Sequence, residues 1–175
     1  MTSSFVRVSW NQVFSADSYQ IFRNSGSGFS LIGTAPTPAY NDLAVSPGAA
    51  YLYKVRAVTS GLVSADSNID LATTIIFTDD PLVPGTTVVK AVHVTEMRTA
   101  VNAVRALANL AAATWTDLSP AGASLKAVHI TELRTALDAA RSLLVLPPLA
   151  YTHALSAGTS PVAATDFSEI RNGTK

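Results

Sequence analysis

Glu96, Glu132 and Glu169 are the only glutamates in this chain of 175 residues, and they recur at intervals of 36 and 37. Each stands three residues after another ionisable side chain: His93, His129 and Asp166. Two imidazoles and a carboxylate are ligand types for zinc, which holds its ligands at about 2 Å. Equivalent positions on packed helices lie roughly 8–10 Å apart, so three successive repeats converge poorly on one ion. Paired carboxylates about 5–10 Å apart could hydrolyse a glycosidic bond across a cleft. One glutamate per repeat, always in the same setting, instead matches a structural duty at helix starts. An Asp at the N-cap with a Glu at N3 forms a capping box, each side chain satisfying an orphan amide. The six residues His93, Glu96, His129, Glu132, Asp166 and Glu169 are therefore expected to be helix caps. The expectation includes no metal, no cofactor and no catalytic residue.

Other chemistries find little support. Asp79-Asp80 and Asp117 lie in loops, but no D-x-D-x-D-G calcium pattern accompanies them. No G-x-S-x-G elbow and no G-x-x-x-x-G-K-[ST] phosphate loop occurs. Cysteine is absent, which excludes disulfides and thiol chemistry. Twelve basic residues balance twelve acidic ones, so there is no basic field for nucleic acid. No apolar run approaches the roughly 18 residues of a membrane helix, and the first residues lack the pattern of a signal peptide.

The elements that must carry these residues fall into two halves, 1–75 and 76–175. The second half repeats itself. Val89 to Val101 aligns with Leu125 to Leu137, and a shorter third copy runs from Val162 to Gly173. An aromatic and a threonine precede each copy: Phe77-Thr78, Trp115-Thr116 and Tyr151-Thr152. Apolar spacing predicts helices over 94–110 and 130–146, with a third starting at Phe167, and Pro147-Pro148 stops the second. A lone amphipathic helix cannot bury its stripe, so the copies should stack. Phe77, Trp115 and Tyr151 are expected between the helices, and the short third copy should form a terminal cap.

The first half alternates with a period of two. Val6, Val8 and Trp10 share a face, as do Tyr19 and Ile21, and as do Tyr51, Tyr53, Val55 and Ala57. Weaker strands are expected at 29–33, 38–42 and 67–74. Gly, Pro and Ser clusters separate the runs, which predicts an antiparallel sandwich. The segments V-x-V-S-W at 6–10, S-Y-Q-I-F-R at 18–23 and Y-N-D-L-A-V-S-P-G-A-A-Y-L-Y-K-V-R-A-V at 40–58 resemble a fibronectin type III domain. The resemblance implies a core of Trp10, Tyr19, Tyr51 and Tyr53, with Tyr51 as a corner tyrosine bonded to nearby backbone. It also implies seven strands, against six counted here, the first being absent. The edge Phe5, Val6, Arg7, Val8, Ser9, Trp10 would then be open, either through truncation or for strand addition by a neighbour. The A-x-H-x-x-E-L-R repeats resemble those that accompany such domains in large secreted bacterial proteins.

The fold expected is multidomain β plus α: an immunoglobulin-like fibronectin type III sandwich followed by a small helical repeat domain. The function expected is non-enzymatic: a structural or interaction module of a bacterial secreted or cell-surface protein, self-assembling through the open edge. The alternative is a carbohydrate-binding accessory module of a polysaccharide-active enzyme, with Phe14, Phe22 and Phe29 as the remaining aromatics for a sugar face. Partners would be protein, or glycan in the alternative, without nucleic acid or membrane insertion.

Overall fold

A computed structural model describes residues 3–83, 85–119, 125–156 and 160–175. Among these residues seven strands precede three helices. The strands are β1 (Val6–Ser9), β2 (Ser18–Asn24), β3 (Phe29–Ala35), β4 (Ala39–Asp42), β5 (Ala50–Thr59), β6 (Leu62–Val63) and β7 (Asp70–Thr73). β1 pairs antiparallel with β4, Val8 opposite Tyr40. The larger sheet runs β3-β2-β5-β6, and β7 joins along the first half of β5. The one strand added to the six read from sequence is β6, two residues long and directly after the tight turn at Ser60-Gly61. Among the described residues β1 pairs with β4 alone.

Local chemistry sets the turns. Asn24 Oδ1 accepts from the amides of Gly26 and Gly28 at 2.8 and 3.0 Å, closing the β2–β3 hairpin. Both glycines have positive φ, which side chains on L residues disfavour. The register of β2 against β3 shifts between Ile21 and Phe22.

The two sheets close over Val6, Ile21, Ala35, Tyr51, Tyr53 and Val55. Tyr19 is buried and meets the ring of Trp10 edge-on at 5.1 Å between centroids. Trp10 itself is only half-buried, at the margin of this core. Tyr51 Oη accepts from Ser46 N–H at 2.7 Å, and Tyr53 donates to the buried Asp42 carboxylate at 2.9 Å. Asp42 also holds Arg23 at 2.8 Å, so its charge is paired within the interior.

The helices are α1 (Ala91–Leu107), α2 (Ala127–Leu143) and α3 (Ala164–Asn172). All three begin three residues before the starts expected from apolar spacing. The reason is that the buried residues of the first turn include His93 and His129, polar side chains that an apolar pattern does not register. α1 packs on β5 and β7, on α2 and on α3. One apolar core therefore runs from Ala50, Leu52, Leu71 and Ile75 of the strand half into Met97, Val101, Leu133, Leu137, Phe167 and Ile170. Alternation makes this possible. Tyr51 and Tyr53 point into the sandwich, and Ala50 and Leu52 point the opposite way into the helices.

Candidate functional site

The earlier helix starts change the roles of the six expected caps. The N-caps are Lys90, Lys126 and Ala163, which places His93, His129 and Asp166 at N3. Each N3 side chain reaches back to the N-cap amide. Lys90 N–H donates to His93 Nδ1 and Lys126 N–H to His129 Nδ1, both at 3.2 Å. Ala163 N–H donates to Asp166 Oδ2 at 2.8 Å. Imidazole and carboxylate thus do one job, as acceptors for an orphan donor of the first turn.

Glu96, Glu132 and Glu169 are not caps; they stand one turn deeper. Their carboxylates grip the threonine of the aromatic–threonine pair. Thr78 donates its amide and hydroxyl to Glu96 at 2.8 and 2.6 Å. Thr116 gives both donors to Glu132, and Thr152 gives both to Glu169. The loop residue after each threonine then meets the N3 side chain. Asp79 accepts from His93 Nε2 at 3.1 Å, and Asp117 from His129 Nε2 at 2.7 Å. In the third copy the partners trade places: His153 is in the loop and Asp166 on the helix, 3.4 Å apart. With Nδ1 taken as acceptor, the imidazoles of His93 and His129 carry their proton on Nε2.

Arginines join one copy to the next. Arg98 Nη1 donates to Asp117 C=O at 2.7 Å, its guanidinium lying 5.1 Å from the Trp115 ring centre. Arg134 does the same to His153 C=O at 2.7 Å, 4.3 Å from the Tyr151 centre. Arg171 returns to the first copy. It donates to Asp79 C=O and Thr78 C=O, both at 2.9 Å, and sits 4.9 Å from the Phe77 centre. The contacts run one to two, two to three and three to one. This closed circuit replaces the open stack with a terminal cap expected from the repeat. Three short units, none able to bury its apolar stripe alone, share one centre when the last contacts the first.

The recurring E-x-R spacing and the aromatic–threonine pairs carried this circuit in the sequence. What hid it was that each arginine acts on the following copy, not on its own. Among the described residues no group of three or more His, Asp or Glu is placed to hold a metal ion. Phe22 and Phe29 do not form an open sugar face: Lys54 lies 4.5 Å from the Phe29 centre and Arg56 4.9 Å from that of Phe22. Phe14 is 94% exposed.

Several carboxylates are held below their usual range. Asp79 is lowered first by its bond from Lys90 and then by that from His93; Asp117 is lowered first by His129. Asp66, bonded by Arg56 and Lys54, is lowered to about 2. A carboxylate depressed in the folded state adds stability above its unfolded pKa of about 4 and loses it as the pH falls further. Acid is therefore expected to weaken the contacts made by the Asp79 and Asp117 carboxylates as the pH falls below about 4. Carboxyl carbon shifts of Asp79 and Asp117 followed across the acid range check this; midpoints at or above the ordinary aspartate value of about 4 would contradict it.

The architecture is a two-sheet β unit similar to fibronectin type III domains, welded to a ring of three helices. No family model matches the chain. Over 79 residues, 44% of its length, it is 37% identical to a poly(3-hydroxybutyrate) depolymerase of Ralstonia pickettii. That stretch spans 15% of the depolymerase. Among solved structures it is similar to a Fn3-like protein from Clostridium thermocellum, at 30% identity and a TM-score of 0.37. The match covers 39% of this chain and 74% of that one. It is similar also to FN3tt, at 25% identity and a TM-score of 0.34, over 41% and 75% of the two chains.

Proposed function

We propose that the chain is a non-catalytic structural and interaction module of a larger secreted or cell-surface bacterial protein. One observation carries the reading. The recurring ionisable side chains, the groups best suited to chemistry, are spent on intrachain bonds that fasten loops to helices and one copy to the next. A nucleophile or general acid needs a substrate-facing atom, and these atoms bond to backbone and side chains of the same chain. Continuity of the core between strands and helices suits a rigid block that sets the spacing of whatever it joins. The open side of β1 offers unpaired backbone for an added strand, as a neighbour or an adjoining segment could supply. No helix among the described residues is long and apolar enough to cross a membrane.

The resemblance to part of a polymer-degrading enzyme favours a second reading, an accessory module that binds a polymer or glycan. Co-sedimentation separates the two. The purified chain is expected to stay in solution with insoluble polysaccharides and with poly(3-hydroxybutyrate) granules. Saturable pelleting that Phe14→Ala abolishes would replace the first reading with the second. Pelleting that survives Phe14→Ala would place a ligand face elsewhere and also end the first reading.

A further inference from the structure

The helix α3 and the residues after it, 164–175, dock on a surface assembled from distant parts of the chain. Four sets of groups build it. The carbonyls of Thr78 and Asp79 take Arg171, which is 1% exposed. Arg134 takes Asp166 and Glu169 at 2.7 and 3.1 Å. Arg141 donates to Gly173 C=O at 2.7 Å. The apolar centre takes Phe167 and Ile170, both fully buried. A nine-residue helix such as α3 is marginal alone and owes its form to this site. Nothing in these contacts requires the segment to belong to the same chain.

The connection to α2 bears on where the segment goes. The chain leaves α2 through Leu144 and Val145 and then Pro147-Pro148 before reaching Tyr151. Val145 has φ 56°, and its side chain is exposed. The equivalent residue after α1 is Asn109, at φ 57°. Asparagine tolerates the left-handed region, whereas a β-branched residue there is strained. The same turn is thus relaxed in one copy and strained in the next, beside a pair of prolines that stiffens the path. A short, strained hinge between an element and its site favours exchange with a neighbour, because opening the hinge relieves the strain while every docking contact is remade.

We propose that two copies of this chain exchange their third-copy segments, each closing the other's helical ring, with Val145–Pro148 as the hinge. The inference rests on the reading of the chain as an interaction module and names the partner and the surface. Exchange predicts a dimer distinguishable from one formed at the β1 edge, because Lys175 of one chain would meet Asp80 of the other. Within one chain these side chains are 2.7 Å apart.

The chain has no cysteine, so introduced thiols are unique. An Asp80→Cys chain and a Lys175→Cys chain are unfolded in urea, mixed at high concentration, refolded and treated with a short bis-maleimide. The expected product is a covalent heterodimer on a denaturing gel, in an amount that rises with protein concentration. Light scattering of the unmodified chain should show the same dimer, and Val145→Asn should weaken it at least about tenfold by relaxing the hinge. A chain that stays monomeric at every concentration after refolding overturns the proposal. So does a dimer that yields no link between positions 80 and 175, although that outcome leaves the interaction reading standing. Unchanged dimerisation in Val145→Asn, with the link present, overturns the hinge.

Discussion

Arg171→Ala is expected to lower the stability of the fold by about 2–5 kcal/mol and to free the third copy from the ring. The guanidinium is buried, donates to two carbonyls and lies over the Phe77 ring. Its removal strands the Thr78 and Asp79 carbonyls, each costing about 1–3 kcal/mol when left unsatisfied. The cation–π contact contributes about 0.5–2 kcal/mol more. Arg171→Lys should recover only part of the loss. An ammonium keeps the charge but not the planar fork that spans both carbonyls. Urea unfolding gives the size of the effect, and amide exchange gives its place. Protection of the α3 amides should fall before that of α1. Uniform loss across all three helices would mean that Arg171 supports the whole core and not the closing contact.

Leu52→Ala is expected to cost about 2–5 kcal/mol, the range for truncating a buried leucine, and to weaken helices and strands together. Leu52 lies on a strand but packs in the helical core with Leu71 and Ile75. If that core is shared, far-ultraviolet helix signal and tyrosine fluorescence from the sandwich should be lost in one transition, at a midpoint lowered alike for both. Two separated transitions, with only the strand half shifted, would show that the halves fold independently. Val58→Ala, on the same strand away from this core, serves as the comparison and should cost less.

Particular residues show how far the sequence could be read. Alternation of Tyr51, Tyr53, Val55 and Ala57 marks a strand, because a period of two is a property of the chain itself. The same period left Leu52 unassigned. Whether the second face of a strand meets water or a helix depends on what packs there, and α1 lies about forty residues further on. The column of histidines and glutamates marked the repeat for the same local reason. Its roles were shifted by one turn, since apolar spacing does not register His93 and His129, buried but polar in the first turns of α1 and α2. Asp79, Asp117 and His153 went unassigned as loop residues because their partners stand 14, 12 and 13 positions away.

A strand-forming first half, three helix-forming regions, their turns and the threefold recurrence follow from residue order, since each reflects forces between neighbours along the backbone. Ring closure by Arg171, the traded His153–Asp166 pair and the burial of Leu52 under α1 were decided by the tertiary structure. These are contacts between parts far apart in the chain, and an arginine's type and spacing do not say which carbonyl it will find once the chain has folded back.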